Sequence, residues 1–98
     1  GGGLEDNIKR VIPDNLTAEI NLKEVKTSKI FKWLYQQGVS NKEMIKTFNC
    51  GIGFCLIVNP KKYDSIKKYF TKEYKPYVIG KISKGKDKVK LNGSIKWI

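Results

Sequence analysis

The sequence predicts an α+β domain, a layered α/β sandwich in which helices cover a mixed sheet. Three observations support this class. Apolar residues recur at helical spacing in several segments, short apolar runs typical of strands lie between those segments, and turn residues separate the two kinds. The predicted order is a helix, a strand, two helices, a strand, a helix and a strand meander. Such an order is typical of an α+β domain.

Four helices are predicted. The first carries Leu4, Ile8 and Val11 at helical spacing, directly after three glycines. Ser40 and Glu43 fit a capping box, in which the two residues satisfy free backbone donors at a helix start. The later helices are predicted at 28–37, 40–47 and 60–71, with core or edge-of-core residues Ile30, Phe31, Trp33, Leu34, Met44, Phe48, Tyr63, Ile66 and Phe70.

The run 51–58 is the clearest predicted strand. Both of its faces are apolar, so we expect it to be central and buried on both sides. Asn92 and Gly93 are typical of a tight hairpin turn, which would fold 95–98 back onto 88–91. Further strands are predicted at 16–20, 77–82 and 89–91.

The charge of the chain admits two interpretations. At 98 residues the chain can hold one small domain, and its formal net charge is +11. Such a charge is compatible with a basic nucleic-acid-binding module. However, Arg10 is the single arginine among 20 basic residues, and the lysines are spread over every segment. Proteins that recognise phosphates and bases usually rely on arginine. A solvated lysine-rich surface is therefore favoured over a nucleic-acid-binding surface.

The cysteines and the missing histidines limit the possible chemistry. Without histidine, His-containing zinc sites and His-based triads are excluded. Cys50 and Cys55 lie five residues apart on the same apolar run. Residues an odd number apart on a strand face opposite sides, which disfavours a disulfide between them. We expect both to be buried and reduced. No membrane span or signal peptide is predicted, so a cytoplasmic protein is expected.

The strongest local candidate for a binding site is the leading glycine segment. Gly1, Gly2 and Gly3 allow backbone N–H groups to approach an anion, and the following helix start adds partial positive charge. Asn7 and Arg10 lie three residues apart on one side of that helix and could contact a phosphate or a ribose hydroxyl. The alternative is a flexible start to the chain or a residual tag.

A second candidate is the polar stretch before the predicted strand 51–58. Asn49 and Gly51 lie where close backbone approach by a ligand is possible. The alternative is a purely structural turn with Cys50 packed in the core, and the local residues favour it. Cys50 is a poor candidate nucleophile, because the chain has no histidine to activate it.

Several motifs in register resemble those of phosphoribosylformylglycinamidine cyclo-ligases, the aminoimidazole ribonucleotide synthetases. They are GGGLEDNIKRVIP at 1–13, IFKWL at 30–34, TFNCGIG at 47–53 and YVIGKI at 77–82. The resemblance covers the chain and implies the C-terminal domain of that family, truncated on its N-terminal side. Lys9 departs from the proline that is common in the family.

The resemblance implies an ATP-dependent ligase of purine biosynthesis that converts formylglycinamidine ribonucleotide to aminoimidazole ribonucleotide. ATP and Mg²⁺ would be bound mainly by a separate N-terminal domain, and the full-length protein would be a cytoplasmic homodimer. The implied substrate- or phosphate-binding residues are Gly1, Gly2, Gly3, Asn7, Arg10, Asn49 and Gly51; no general base or metal ligand is implied. We also expect truncation to leave an unpaired apolar edge on the sheet.

Two alternatives remain at this point. The chain could be a related domain of the same superfamily, from formylglycinamidine ribonucleotide synthase or selenophosphate synthetase. It could also be the basic nucleic-acid-binding module that its charge allows. The cyclo-ligase is favoured within the superfamily by the stretch TFNCGIG with IFKWL before it.

We expect no specific nucleic-acid partner. If the lysines form a solvated surface, binding to DNA or RNA will be weak, independent of sequence and lost steeply between about 50 and 200 mM salt. Fluorescence anisotropy with labelled oligonucleotides of several sequences measures this. Sub-micromolar binding to one sequence at physiological ionic strength would instead establish a nucleic-acid-binding module.

Overall fold

Strand β1, Leu16–Asn21, is the middle strand of the sheet. The computed structural model describes residues 2–97. Within that range β2, Gly80–Lys84, pairs antiparallel with β1, and β3, Val89–Asn92, pairs parallel with it. The helices are α1 (Gly3–Lys9), α2 (Lys29–Gln36), α3 (Asn41–Thr47) and α4 (Tyr63–Lys67), with 3₁₀ turns at Leu22–Glu24, Pro60–Lys62 and Lys72–Tyr74. The predicted α+β class and the predicted first strand are confirmed.

The side chains of β1 alternate between an apolar and a polar face of the sheet. Ala18 and Ile20 belong to the same hydrophobic core as Leu4 and Ile8 of α1. Full burial of a side chain the size of Ile20 contributes about 1.5–3 kcal/mol, so this alternation orients the sheet. The buried core consists of Leu4, Ile8, Ile12, Ala18, Ile20, Leu22, Val25, Met44, Cys50, Ile95 and Trp97.

The predicted meander of the last strands is wrong, because β1 lies between β2 and β3. The connection 85–88 passes the start of β1 and bonds to it. The Ala18 N–H donates to the Lys88 carbonyl oxygen at 2.9 Å, and the Thr17 hydroxyl donates to the Asp87 carbonyl oxygen. These bonds to β1 take the place of direct pairing between β2 and β3.

The outer edges of this sheet are charged. Lys81 and Lys84 lie on β2, and Lys90 lies on β3. Lysines on edge strands oppose pairing with another chain. The expected apolar edge of the sheet is therefore wrong.

The prediction of a buried strand at 51–58 is also wrong. Residues 52–59 form neither helix nor strand, and most of them are exposed. Phe54 is 85% exposed and Ile57 is 56% exposed. A strand requires a ladder partner for its backbone groups, and this segment has none in the described sheet, which consists of β1, β2 and β3.

Two of the predicted helical faces are only partly correct. In α1, Leu4 and Ile8 are buried, but Val11 is exposed because the helix ends at Lys9. In α2, Phe31, Leu34 and Tyr35 pack partly buried against the core, whereas Ile30 is 58% and Trp33 is 53% exposed. The expectation that Trp33 belongs to the core or its edge is therefore wrong.

The helix predicted at 60–71 is much shorter in the structure. A 3₁₀ turn at Pro60–Lys62 leads into the five-residue helix α4, in which no residue is buried. α4 packs mainly against that preceding turn, not against the sheet. The Tyr63 hydroxyl donates to the Pro76 carbonyl oxygen at 3.2 Å and so ties α4 to a later loop.

The C-terminal segment crosses the helices and does not form the predicted hairpin with 88–91. After Gly93, whose φ is +74°, residues 94–97 form no strand. Trp97 is 5% exposed, stacks on the Tyr35 ring at 5.3 Å and donates from Nε1 to Asn41 Oδ1 at 2.8 Å. The hairpin would have mixed lysines with apolar residues on both of its faces. Burial of Ile95 and Trp97 in the core stabilises the chain more than that pairing would.

We expect Trp97→Ala to lower the free energy of unfolding by about 3–5 kcal/mol, because it removes a buried aromatic ring and leaves a cavity. Trp33→Ala is the matched control, since that side chain is half exposed, and should change stability by less than about 1 kcal/mol. Urea unfolding followed by far-ultraviolet circular dichroism compares the two. Equal losses would contradict the burial of the C-terminal segment.

Candidate functional site

The described part of the glycine segment forms the start of α1. Gly2 has φ +95° and Gly3 has φ +65°, so both adopt left-handed backbone that a residue with a Cβ rarely tolerates. The Asp6 carboxylate folds back towards Gly2, and a Cβ added at Gly2 would lie 2.9 Å from Asp6 Oδ2. Gly1, the first residue of the predicted phosphate cradle, lies outside the described residues.

Gly3 lies at the contact between α1 and α3. A Cβ at this position would overlap the Ile45 carbonyl oxygen and lie 2.8 Å from the Lys46 carbonyl oxygen. The start of α1 therefore meets carbonyl groups near the end of α3, an arrangement that pairs the positive end of one helix with the negative end of another. The segment was expected at the mouth of a cleft; Gly3 is instead buried, and Gly2 is half-buried.

Asn7 and Arg10 form a hydrogen-bonded pair on the surface of α1. Asn7 Nδ2 donates to the Gly3 carbonyl oxygen at 2.6 Å, and Arg10 Nη1 donates to Asn7 Oδ1 at 3.2 Å. Asn7 therefore links the guanidinium group to the glycine segment. Asn7 and Arg10 were predicted on one side of the helix; they are in contact, Asn7 within α1 and Arg10 directly after its last residue.

The α1 surface also carries acids that oppose anion binding. Glu5 and Asp6 lie in the first turn, where the helix dipole stabilises negatively charged carboxylates. The closeness of Asp6 to Gly2 means that a phosphate bound at the Gly2 backbone would compete with this carboxylate. The sequence shows the acids Glu5 and Asp6 directly after the glycines. It does not show that the Asp6 side chain folds back towards Gly2.

Asn49, Cys50 and Gly51 form a tight turn directly after α3. Ile52 N–H donates to the Asn49 carbonyl oxygen at 3.1 Å, and Gly51 N–H donates to Asn49 Oδ1 at 3.2 Å. Cys50 and Gly51 have φ +56° and +99°, the positive values that a type I′ turn requires. The structural interpretation of this turn is therefore supported.

Cys50 anchors this turn in the core. Its Sγ donates to the Met44 carbonyl oxygen at 3.5 Å, and the residue is fully enclosed. Burial raises the pKa of the Cys50 thiol to about 11, because the thiolate would lose its hydration. The thiol is therefore protonated at neutral pH, and its predicted inert role is supported. Cys55 was expected to be buried and is exposed.

The structure brings the two predicted segments to the same end of α3. Gly3 contacts the carbonyls of Ile45 and Lys46, and the Asn49–Gly51 turn begins two residues after the helix ends. α3 itself begins as predicted, because the Ser40 hydroxyl oxygen accepts from the Glu43 N–H at 3.2 Å. The Glu43 carboxylate does not complete the predicted capping box in the hydrogen bonds described; it accepts a bond from Thr47.

Gly51 faces a neighbouring loop that has an unusual buried group. A Cβ at Gly51 would lie 3.4 Å from the Lys26 carbonyl oxygen and 3.6 Å from Thr27 Cα. Within the described residues the buried Thr27 hydroxyl has no hydrogen-bond partner.

The polar face of the sheet is a feature that the sequence prediction did not single out. Glu19 lies in register with Lys81 on one side and Lys90 on the other, and the Ser83 hydroxyl donates to Glu19 Oε2 at 2.7 Å. Shallow depressions over this face are lined by these residues and by Thr17. The alternation in LTAEIN at 16–21 was the signal that could have revealed it.

Metal binding and membrane insertion find no support in the described residues. Residues 2–97 contain no group of three or more Cys, Asp or Glu side chains placed to hold a metal ion. In the same range, no helix is long and apolar enough to cross a membrane.

Comparison with known proteins identifies the type of domain. Residues 1–92 match the family described as AIR synthase related protein, C-terminal domain. The bifunctional purine biosynthetic protein purD of Dictyostelium discoideum is 47% identical over 88 residues, which are 88% of this chain and 11% of that protein. The phosphoribosylformylglycinamidine cyclo-ligase of Staphylococcus saprophyticus is 39% identical over 95 residues, which are 95% of this chain and 28% of that protein.

The mixed sheet and its helices, together with these matches, define an α+β domain of the kind found at the C-terminal end of AIR synthase related proteins. The chain belongs to the AIR synthase related protein C-terminal domain family. It spans 28% or less of the length of the two relatives described above. The predicted resemblance is confirmed.

We expect Gly3→Ala to destabilise the domain by about 3 kcal/mol, because the methyl group combines left-handed strain with overlap onto a backbone carbonyl. Gly53→Ala is the matched control: a Cβ there meets nothing within 4 Å, so stability should change by less than about 0.5 kcal/mol. Urea unfolding measures both variants. A neutral Gly3→Ala would show that α1 and α3 do not meet at this glycine.

Proposed function

We propose that this chain is the C-terminal portion of an ATP-dependent phosphoribosylformylglycinamidine cyclo-ligase of purine biosynthesis. The observation that carries the proposal is the 39% identity to such an enzyme over 95% of the chain, together with the family match over residues 1–92. The name of the second relative, a bifunctional purine biosynthetic protein, also refers to purine biosynthesis.

The proposed reaction converts formylglycinamidine ribonucleotide and ATP into aminoimidazole ribonucleotide, ADP and phosphate. Transfer of the γ-phosphoryl group to the formyl oxygen turns that oxygen into a leaving group. The amidine nitrogen then closes the five-membered ring as phosphate departs. Such chemistry depends mainly on positioning and on neutralising phosphate charge.

In this proposal the glycine segment and α1 bind the phosphate of the substrate or nucleotide, and the turn after α3 lies beside them. The backbone N–H groups of Gly1, Gly2 and Gly3 would donate to phosphate oxygens, and Arg10 would supply positive charge. Asn7 holds the Arg10 guanidinium near the glycine segment through its side-chain oxygen. The Asp6 carboxylate would have to turn away from Gly2 for the phosphate to bind.

The turn formed by Asn49 and Gly51 would form part of the wall of the substrate site. Its position at the end of α3, beside the contact with Gly3, supports this placement. The Asn49 side chain already accepts the Gly51 N–H, so its role would be to hold the turn in shape.

ATP and Mg²⁺ would be bound mainly outside this chain. Residues 2–97 lack a cluster of carboxylates suited to Mg²⁺, and we assign no step of the reaction to a metal held here. Most of the length of the cyclo-ligase relative lies outside the matched part. We propose that the full-length protein is a cytoplasmic homodimer.

The proposal is tested by assaying ring closure. Purified 1–98 alone should form no aminoimidazole ribonucleotide from formylglycinamidine ribonucleotide and ATP, whereas the full-length enzyme should do so. Robust turnover by 1–98 alone would overturn the two-domain account. A full-length protein inactive on this substrate, but active as a formylglycinamidine ribonucleotide synthase or selenophosphate synthetase, would favour another member of the superfamily.

In the full-length enzyme we expect Arg10→Lys to raise KM roughly tenfold, because a lysine keeps the charge but loses the planar, bidentate donor geometry of arginine. The control is Lys9→Arg, an exposed neighbour that should leave KM unchanged. Steady-state kinetics with varied ribonucleotide measures both. Unchanged KM and kcat in Arg10→Lys would remove Arg10 from the site.

A further inference from the structure

The segment 61–76 concentrates two residue types on one part of the surface. We call it the basic loop. It contains six of the chain's 20 basic residues, all of them lysine, and three of its five tyrosines. Its acids are Asp64 and Glu73, so lysines outnumber acids three to one. The basic loop is therefore richer in both lysine and tyrosine than the chain as a whole.

The two ends of the basic loop are held in place, while its side chains face solvent. The Tyr63 hydroxyl donates to the Pro76 carbonyl oxygen at 3.2 Å, and the Lys61 N–H donates to Asn59 Oδ1 at 2.9 Å. No residue of the loop is buried, and α4 packs mainly against the 3₁₀ turn that precedes it. The loop is thus a fixed feature of the surface that contributes no side chain to the core.

Two tyrosine rings of the basic loop are open to solvent. Tyr69 is 89% exposed and Tyr74 is 74% exposed. Tyr63 differs, because its hydroxyl bonds to the chain and Lys67 Nζ lies over its ring, 5.4 Å from the centroid. Local contacts therefore account for Tyr63 but not for the two exposed rings. Aromatic rings with open faces are the platforms on which unpaired bases stack.

The lysines beside these rings are available to an anionic ligand. Lys68 precedes Tyr69 in the chain, Lys72 follows it by three residues, and both lysines are exposed. In the part of the chain that the structure describes, neither lies within salt-bridge distance of an acid, whereas Lys88 pairs with Asp14. A cation next to an open aromatic ring matches a nucleotide, which joins a phosphate to a base.

Other anionic partners match the basic loop less well. An acidic peptide would pair with the lysines, but its carboxylates would leave the faces of Tyr69 and Tyr74 uncovered. Binding to an anionic membrane surface uses an amphipathic helix with a broad apolar face, and α4 has only five residues. The loop contains no arginine, the residue that most often reads bases in a duplex. These features favour unpaired bases over a duplex, and binding without sequence preference.

We propose that the basic loop binds single-stranded nucleic acid without sequence preference. Bases stack on Tyr69 and Tyr74, and backbone phosphates pair with Lys68, Lys72 and Lys75. The affinity is weak, with a Kd on the order of 10 μM at low salt, because lysines supply charge without bidentate contacts. This activity is separate from ring closure and does not rest on the proposed cyclo-ligase reaction.

The contribution of stacking is tested with two exposed aromatic residues. Fluorescein-labelled oligo(dT) and oligo(dA) are titrated with 1–98 at about 50 mM salt and followed by fluorescence anisotropy. Tyr69→Ala should raise Kd about tenfold for both oligonucleotides, because a stacking platform is lost. Trp33→Ala on α2 is the control, since Trp33 is 53% exposed and lies outside the loop; it should change Kd less than twofold. Equal effects of the two variants would overturn the proposal.

The contribution of local charge is tested with two double variants that remove the same charge. Lys68→Gln with Lys72→Gln should raise Kd at least fivefold, because these lysines flank the ring of Tyr69. Lys86→Gln with Lys90→Gln, at exposed positions on and beside β3, should raise it less than twofold. Far-ultraviolet circular dichroism checks that all variants are folded. Equal losses would show that the oligonucleotide follows the charge of the whole chain, and would overturn the proposal.

The remaining outcomes identify the occupant. Tighter binding to oligo(dT) and oligo(dA) than to a duplex of the two, with similar Kd for the two single strands, would support the proposal. Equal or tighter binding to the duplex, or a strong preference for one sequence, would overturn it. Vesicles of phosphatidylcholine and phosphatidylserine test the membrane alternative by co-sedimentation. Binding to vesicles that is lost in Tyr69→Ala, without binding to either oligonucleotide, would assign the loop to a membrane surface and overturn the proposal.

Discussion

Pairing of β1 on both of its edges is the constraint on which the fold depends. Strand β1 lies near the start of the chain, whereas β2 and β3 come from its last fifth, so both ladders close long loops. The entropy of closing such loops is recovered only when the apolar face of β1 is also covered. Leu4 and Ile8 of α1 provide that cover, together with Ile95 and Trp97 from the far end of the chain. Because both termini contribute to one core, the short helices need little intrinsic stability of their own.

The C-terminal end of α3 organises the candidate site in a similar way. Gly3 of α1 packs against carbonyl groups at this end of α3, and the Asn49–Gly51 turn follows it in the chain. Cys50 of that turn is buried and bonds to the Met44 carbonyl oxygen. One element therefore positions both segments that the sequence marked as candidate binding residues. The same packing explains why glycine is needed at Gly3 for purely structural reasons, in addition to any role in binding phosphate.

Two kinds of surface divide the molecule. Lysines cover the sheet edges and much of the rest of the chain, giving a net charge of +11, while 47–60 contains no charge at all. A charged surface keeps a small domain soluble and discourages self-association. The exposed apolar residues within this uncharged stretch, among them Phe54 and Ile57, differ from that lysine-rich surface.

Local chemistry was sufficient to predict the α+β class, β1, the cap at Ser40 and the closeness of Asn7 and Arg10, because each depends on residues close in the chain. Other features depend on contacts between distant residues, which no local pattern contains. The insertion of β1 between β2 and β3, the path of Trp97 to Tyr35 and the folding of Asp6 towards Gly2 are of this kind. The run 52–58 has the local pattern of a buried strand, but a strand also requires a ladder partner, and only the tertiary structure decided that none of β1, β2 and β3 provides it.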